Sequence, residues 1–348
     1  MSASHGPDVT LFFPGREFGP CTGGSLSKSH RLSWRRYATA HDMIRNFSHI
    51  DAIAREGTPV RLAALATDQE EFLRTIKIAR DLGYITPILI GERETICRVA
   101  QEVQFDLSSV KIHEERDLQA VANKGIELLF DGEADIAMKG HIPTSFVYRS
   151  IIHHEKLIRG RKSISVNTLW DVPGADHLIT ITDTGVSIAP GYETKKRILA
   201  ESVFLMRLLG YPAPRVMILS ASGTWQDGAG KSGDRSMLKA DADRGDFGPC
   251  EVLEAASLWE LYPSQEFMDI SGSDRSLPFL PHVFMVPHLD AGNILSKLDF
   301  ILDVTRRSLV MTSRGPVIIP SRSDTHQAIV GEVALGVVVA RRLRGMSP

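Results

Sequence analysis

An α/β fold, with mostly parallel sheets and helices on both faces, is predicted by two features of the chain. Short unbroken apolar runs end in glycine or small polar residues, and each is followed by a segment whose apolar residues recur at helical spacing. Strands buried on both faces need such unbroken runs, and intervening helices supply the crossovers that parallel neighbours require. At 348 residues the chain has room for two domains of this kind.

Residues 1–42 are read as a mobile N-terminal extension, because Met1 to about Thr39 is rich in Gly, Ser, Pro and Arg and holds no sustained apolar period. It lacks the apolar segment of a secretory signal; an interaction tail is the alternative. From Met43 a helix is expected through Ile53, then a strand in VRLAALA (Val60 to Ala66) ending at Thr67-Asp68. Helical spacing in Phe72, Ile76, Ala79 and Leu82 stops at Gly83, and TPILIG (Thr86 to Gly91) is the next strand. The alternation continues through helix Glu94 to Val103, strand VKIH, helix Leu118 to Phe130 and ADIAMKGH. Beyond Lys139, helix Phe146 to Leu157, strand His177 to Gly191, helix Glu193 to Leu209 and strand RVMILSAS follow. Gly223 to Asp234 reads as a glycine-rich loop, and a helix is expected from near Ala291. SLVMT and PVIIP are the last strands, and Ala328 to Leu343 the terminal helix.

Composition narrows the function. Forty basic against 42 acidic side chains leave a net charge of −2, too balanced to draw the chain to nucleic acid or to a membrane surface. Cys21, Cys97 and Cys250 lie far apart without metal-ligand spacing, which fits a reducing cytoplasm. No apolar stretch is long enough to cross a bilayer.

The candidate site residues cluster at expected strand ends. In PVIIPSRSDT (Pro316 to Thr325), Pro320 ends the pairing of a strand, and Ser321, Arg322, Ser323 and Asp324 stand before a helix N-terminus, where amide donors and the helix dipole favour an anion. The alternative is a helix cap beside a surface arginine. Lys139, Gly140 and His141 emerge together from another strand, with a glycine that admits close approach of a ligand; the alternative is a surface lysine beside a loop histidine. Asp183 offers a carboxylate at a third strand end, with a turn or helix cap as its alternative. Asp290 is explained by an N-cap, whereas Gly292-Asn293 is an unusual way to open a helix. GAGKS (Gly228 to Ser232) misses the phosphate-loop spacing, His153-His154 lacks companion ligands, and Asp299 and Asp303 suit a solvated helix face better than a shared cation. No G-x-G-x-x-G is present.

Taken together, ADIAMKGHIPT (Ala134 to Thr144), LITITDTGVSIAPG (Leu178 to Gly191), ADRG (Ala242 to Gly245), VPHLDAGNILSK (Val286 to Lys297) and IIPSRSDT (Ile318 to Thr325) resemble the phosphate acetyltransferase and phosphate butyryltransferase family. The resemblance implies a two-domain fold like that of the isocitrate and isopropylmalate dehydrogenases, usually dimeric, with its site in the interdomain cleft. The expected division is a discontinuous first domain, 43–149 plus 308–348, and a second over 150–307. The implied reaction exchanges a short-chain acyl group between coenzyme A and inorganic phosphate, with coenzyme A as substrate and no tightly bound cofactor or metal. Departures from the family's pattern include Ser187 in place of an asparagine and Ala328 where acetyltransferase members carry an aspartate that serves as base.

In that reaction Arg322 is the expected clamp on phosphate or carbonyl, its planar fork charged at any working pH. Ser321 is expected to donate to the oxyanion or the thiol sulfur, and Asp324 to act as base for the thiol. Lys139, Gly140, His141, Thr144, Asp183, Gly292 and Asn293 are the expected substrate-binding residues. The alternatives are a non-catalytic member that binds acyl-CoA or a phosphorylated ligand, and a metal-dependent decarboxylating dehydrogenase.

Overall fold

The structure, a computed structural model, describes residues 43–159, 164–220, 233–261, 280–321 and 324–345. The N-terminal extension, the GAGKS loop and Arg322 with Ser323 lie outside the described residues. In chain order the elements are α1 (Phe47–Glu56), β1 (Val60–Leu65), α2 (Glu70–Asp81), β2 (Ile85–Gly91), α3 (Arg93–Glu102), β3 (Lys111–Glu114), α4 (Leu118–Phe130), β4 (Ile136–Lys139) and α5 (Thr144–Arg159). They continue with β5 (Val166–Asp171), β6 (Ile179–Thr182), α6 (Tyr192–Leu208), β7 (Arg215–Ile218), α7 (Asp234–Asp243), β8 (Glu251–Val252), α8 (Leu258–Leu261) and β9 (Val283–Met285). The last are α9 (Leu289–Ser296), α10 (Asp299–Leu302), β10 (Thr305–Met311), β11 (Pro316–Ile318) and α11 (His326–Arg344).

All the strands join one 11-stranded sheet in the order β3-β2-β1-β4-β11-β10-β5-β6-β9-β7-β8. The strands from β3 to β11 are mutually parallel, as are those from β6 to β8, so the expected mixed α/β fold with a mostly parallel sheet is present. Between these blocks β11, β10, β5 and β6 pair antiparallel, so the two parallel blocks run in opposite directions. The cause is local: Thr312–Gly315 is a tight turn, with Thr312 Oγ1 donating to Gly315 O at 2.7 Å, and it returns the chain beside β10 in place of a helical crossover. The division drawn from the sequence cuts the chain inside α5 and inside β10.

Side chains alternate between the two faces. One face carries a single apolar layer spanning both blocks, from Ile44, Leu62 and Ile136 through Leu169 and Leu309 to Val216 and Met285, covered by α1, α2, α6 and α11. The opposite face carries two separate layers. Ala63, Ala137, Val310 and Val317 pack with α4 and α5, whereas Trp170, Ile179, Ile181 and Phe284 pack with α8 and α9. Between these layers the strands present Arg306, Ser308 and Thr168, so a polar strip over β10 and β5 parts the two cores.

Candidate active site

The first group of predicted residues stands where β1, β4 and β11 end side by side. Met138 pairs with Ile318, so one residue further Lys139 lies beside Ile319, two residues before Ser321. Lys139 shares the parity of Ala137 and therefore the divided face; it is 6 % exposed. The backbone after it folds onto β1: Gly140 N donates to Leu65 O at 2.7 Å and His141 N to Ala66 O at 2.9 Å. A Cβ on Gly140 would stand 2.4 Å from Ala66 O, which is why only glycine fits. His141 is exposed, and Thr144 is the first residue of α5.

At the end of β11, Ser321 and Asp324 close a turn reciprocally. Ser321 N donates to Asp324 Oδ2 at 2.7 Å and Asp324 N to Ser321 O at 3.1 Å. The other oxygen, Asp324 Oδ1, accepts from Arg306 Nη2 at 2.6 Å, and Arg306 Nε donates to Asp299 Oδ2 at 2.6 Å. Both oxygens of Asp324 are therefore engaged, one by Arg306 and one by the backbone of Ser321. Thr325 caps α11, its Oγ1 accepting from Ala328 N at 3.3 Å.

The second group gathers at the end of β6. Asp183 Oδ1 accepts from Val166 N at 3.0 Å, Gly185 N at 3.0 Å and Val186 N at 3.2 Å, and Oδ2 from Ser187 N at 2.7 Å. Such a carboxylate shapes the turn after β6, much as the capping alternative anticipates. Asn293 Nδ2 donates to Thr184 O at 3.1 Å. A Cβ on Gly292 would meet Asp183 O at 2.2 Å, which explains the odd Gly-Asn opening: α9 packs directly on this turn. The N-cap of α9 is His288, whose Nδ1 accepts from Ala291 N at 3.3 Å; this corrects the assignment to Asp290, which falls in the first turn.

The two groups stand on the same face but apart. Asp183 continues β6, four strand steps from β4, which at ~4.8 Å per step is roughly 19 Å along the sheet. A row of hydroxyls crosses the interval: Ser308 Oγ lies 3.0 Å from Thr168 Oγ1, which lies 2.8 Å from Thr184 Oγ1. Helix α5 begins at Thr144 near the first group, and one turn on Tyr148 approaches the second, its hydroxyl 3.3 Å from where a Cβ on Gly185 would stand. Burial, and then the charge of Asp183, push the Tyr148 hydroxyl far above its ordinary range.

Tyr148, Arg306 and Thr67 escaped the sequence reading. Thr67 follows β1 with a buried hydroxyl that has no partner among the described residues, and Ala66 before it adopts a left-handed φ of 49°. For Tyr148 the available signal was its place one turn beyond Thr144. Of the metal alternatives, Asp299 is taken by Arg306, and Asp303 is the left-handed C-cap of α10. Among the described residues no group of three or more His, Cys, Asp or Glu converges as a metal set. Nor is any described helix long and apolar enough to cross a membrane.

Residues 115–239 match the family model described as Phosphate acetyl/butaryl transferase. The chain is 25% identical over 299 residues to the phosphate butyryltransferase of Clostridium acetobutylicum, covering 86% of this chain and 99% of that protein. It is 29% identical over 315 residues to the phosphate acetyltransferase of Rhizobium meliloti, covering 90% and 98%. A solved phosphotransacetylase from Streptococcus pyogenes superposes with a TM-score of 0.65 over 85% of this chain and 99% of that one; at 17% identity this likeness speaks for the fold alone. The family model matches one stretch of the chain, whereas its similarity to both kinds of transferase runs over nearly the full length of those proteins.

Proposed function

We propose that the protein exchanges a short-chain acyl group between coenzyme A and inorganic phosphate, in a crevice above the β10–β5 strip. The observation that carries this reading is the junction of β4 and β11. There Lys139 and the Ser321–Asp324 turn leave neighbouring parallel strands at one edge, beside the Thr67 hydroxyl, which has no partner among the described residues. Cationic side chains and backbone amides at such an edge suit a phosphate dianion.

In the forward direction a phosphate oxygen attacks the thioester carbonyl, the C–O bond forms as the C–S bond breaks, and the departing sulfur takes a proton. Arg322 and Lys139 hold the phosphate, with Gly140 admitting close approach. Ser321 donates to the developing oxyanion or to the sulfur, which matters most where charge appears only in the transition state. Asp324 receives the thiol proton in the reverse direction on a lone pair left by Arg306 and the Ser321 N–H. His141 and Thr144 border the phosphate end, while Asp183, Gly292 and Asn293 shape the far wall. Roughly 19 Å of floor is too wide for one phosphate to touch both groups and suits an elongated thioester.

The same reading makes 43–149 with 308–348 one lobe and 150–307 the other, in the manner of the isocitrate and isopropylmalate dehydrogenases. It makes the protein a cytoplasmic homodimer that needs no bound cofactor. An acyl-CoA panel from acetyl to branched five-carbon chains, assayed for thiol release with and without phosphate, tests it. Release that requires phosphate is expected. Coenzyme A binding with no phosphate-dependent release across the panel would overturn it in favour of a binding protein.

A further inference from the structure

The ladder between β10 and β11 is short: Val310 pairs with Val317 and Met311 with Pro316. Where a longer β11 would have supplied a carbonyl, Ser308 N instead donates to Glu332 Oε1 at 3.0 Å. Glu332 reaches this seam from the second turn of α11; it is 2 % exposed, and its Oε2 has no partner among the described residues. Two residues along β10 from Ser308, Arg306 grips Asp324, and Asp324 grips Ser321 N. The strand that Glu332 anchors is thus the strand that holds the turn.

The surrounding charges are already committed. From β10, Arg306 pairs with Asp324 of the turn and Asp299 of α10, and Arg307 pairs through both terminal nitrogens with Asp51 of α1 at 2.8 and 2.9 Å. His326, in the first turn of α11, places Nδ1 3.0 Å from Thr75 Oγ1 of α2. Among the described residues no cation hydrogen-bonds to Glu332, and Arg306 and Arg307 act on it only through their charge.

We propose that Glu332 is the positioning residue of the Ser321–Asp324 turn, tying α11 to β10 and, through Arg306, fixing the turn at the edge where Lys139 emerges. The catalytic consequence rests on the acyl-transfer reading; the structural one does not. Burial and the nearby charge of Asp324 raise the carboxyl of Glu332 to about 8. Below that pH the neutral acid leaves Arg306 to Asp324. Above it, a buried anion competes with Asp324 for Arg306 and the turn loosens.

The test compares the wild type with Glu332→Gln, which keeps an acceptor for Ser308 N, and Glu332→Met, which removes it. Phosphate-dependent thiol release is followed from about pH 6 to about pH 9.5, together with hydrogen exchange at the Ser321 amide corrected for the intrinsic pH dependence. In the wild type, kcat is expected to fall about fivefold or more above pH 8, with KM for acyl-CoA unchanged and faster Ser321 exchange. Glu332→Gln is expected to stay flat in both readouts, and Glu332→Met to lose about tenfold in kcat at neutral pH with an unprotected amide. An alkaline limb in Glu332→Gln equal to that of the wild type, or wild-type turnover and exchange in Glu332→Met, overturns the proposal. Should Glu332→Met not fold, the glutamine variant alone decides. Should the wild type turn over no acyl-CoA, the exchange comparison still decides for or against Glu332 while the acyl-transfer reading falls separately.

Discussion

Replacing Glu332 by glutamine isolates the cost of burying an acid among committed charges. The folded carboxyl titrates at about 8 against an ordinary 4.5. Each unit is worth about 1.4 kcal/mol, so the whole displacement corresponds to about 5 kcal/mol. Below the ordinary value both folded and unfolded chains hold the proton and nothing is lost. Between 4.5 and about 8 only the unfolded chain ionises, so wild-type stability falls as the pH rises, and above about 8 the loss is complete. Glutamine does not titrate, but its amide N–H replaces the unpartnered Oε2 and costs about 1–3 kcal/mol if it stays unpaired. Urea unfolding of both proteins at several pH values should therefore show the variant gaining about 1.4 kcal/mol per pH unit across that window, for a net advantage of about 2–4 kcal/mol near pH 8. A difference of the same size at pH 5 and pH 8 would refute the reasoning, because it would mean that Glu332 ionises alike in both states.

Other substitutions probe the rest of the site. Arg306→Met leaves Asp324 and Asp299 without their shared cation and should cost about 3–5 kcal/mol in unfolding free energy, with loss of phosphate-dependent turnover. Gly292→Ala drives a methyl group into Asp183 O and should lower stability by about 1–3 kcal/mol, read as a drop in melting temperature. Asp183→Asn removes the charge from a carboxylate that serves four backbone amides, and a loss of about 2–4 kcal/mol is expected by chemical denaturation. Arg322→Ala should reduce kcat by about 100- to 1000-fold with the fold intact by circular dichroism; wild-type turnover would misplace the site.

The strands that the sequence reveals best are those buried on both faces. VRLAALA, TPILIG and ADIAMKG appear as β1, β2 and β4 because their apolar runs leave no other reading. The antiparallel middle of the sheet was not legible, since nothing in Val166–Asp171 or Thr305–Met311 announces that these segments pair with each other across more than a hundred residues. The strand expected over His177 to Gly191 shrinks to Ile179–Thr182, because Asp183 draws the following amides into a turn. Gly140 reads as room for a ligand and Gly292 as an odd helix opening, but the backbone oxygens that exclude a side chain at each belong to distant elements. Glu332 did carry a signal: it interrupts the apolar run from Ile329 to Ala340, where a lone acid needs a reason. Its reason, the short ladder beside Ser308, is a tertiary fact.

The unequal partition of the core gives the molecule a spine. On the α11 side the apolar layer runs unbroken beneath both blocks, so pulling them apart there would expose tightly packed side chains at a high cost in free energy. On the other side, among the described residues, a polar strip and Tyr148 of α5 lie between the two packed masses. Force that spreads the two blocks therefore meets least packing resistance on the side that carries Lys139 and Asp183, and most at α11.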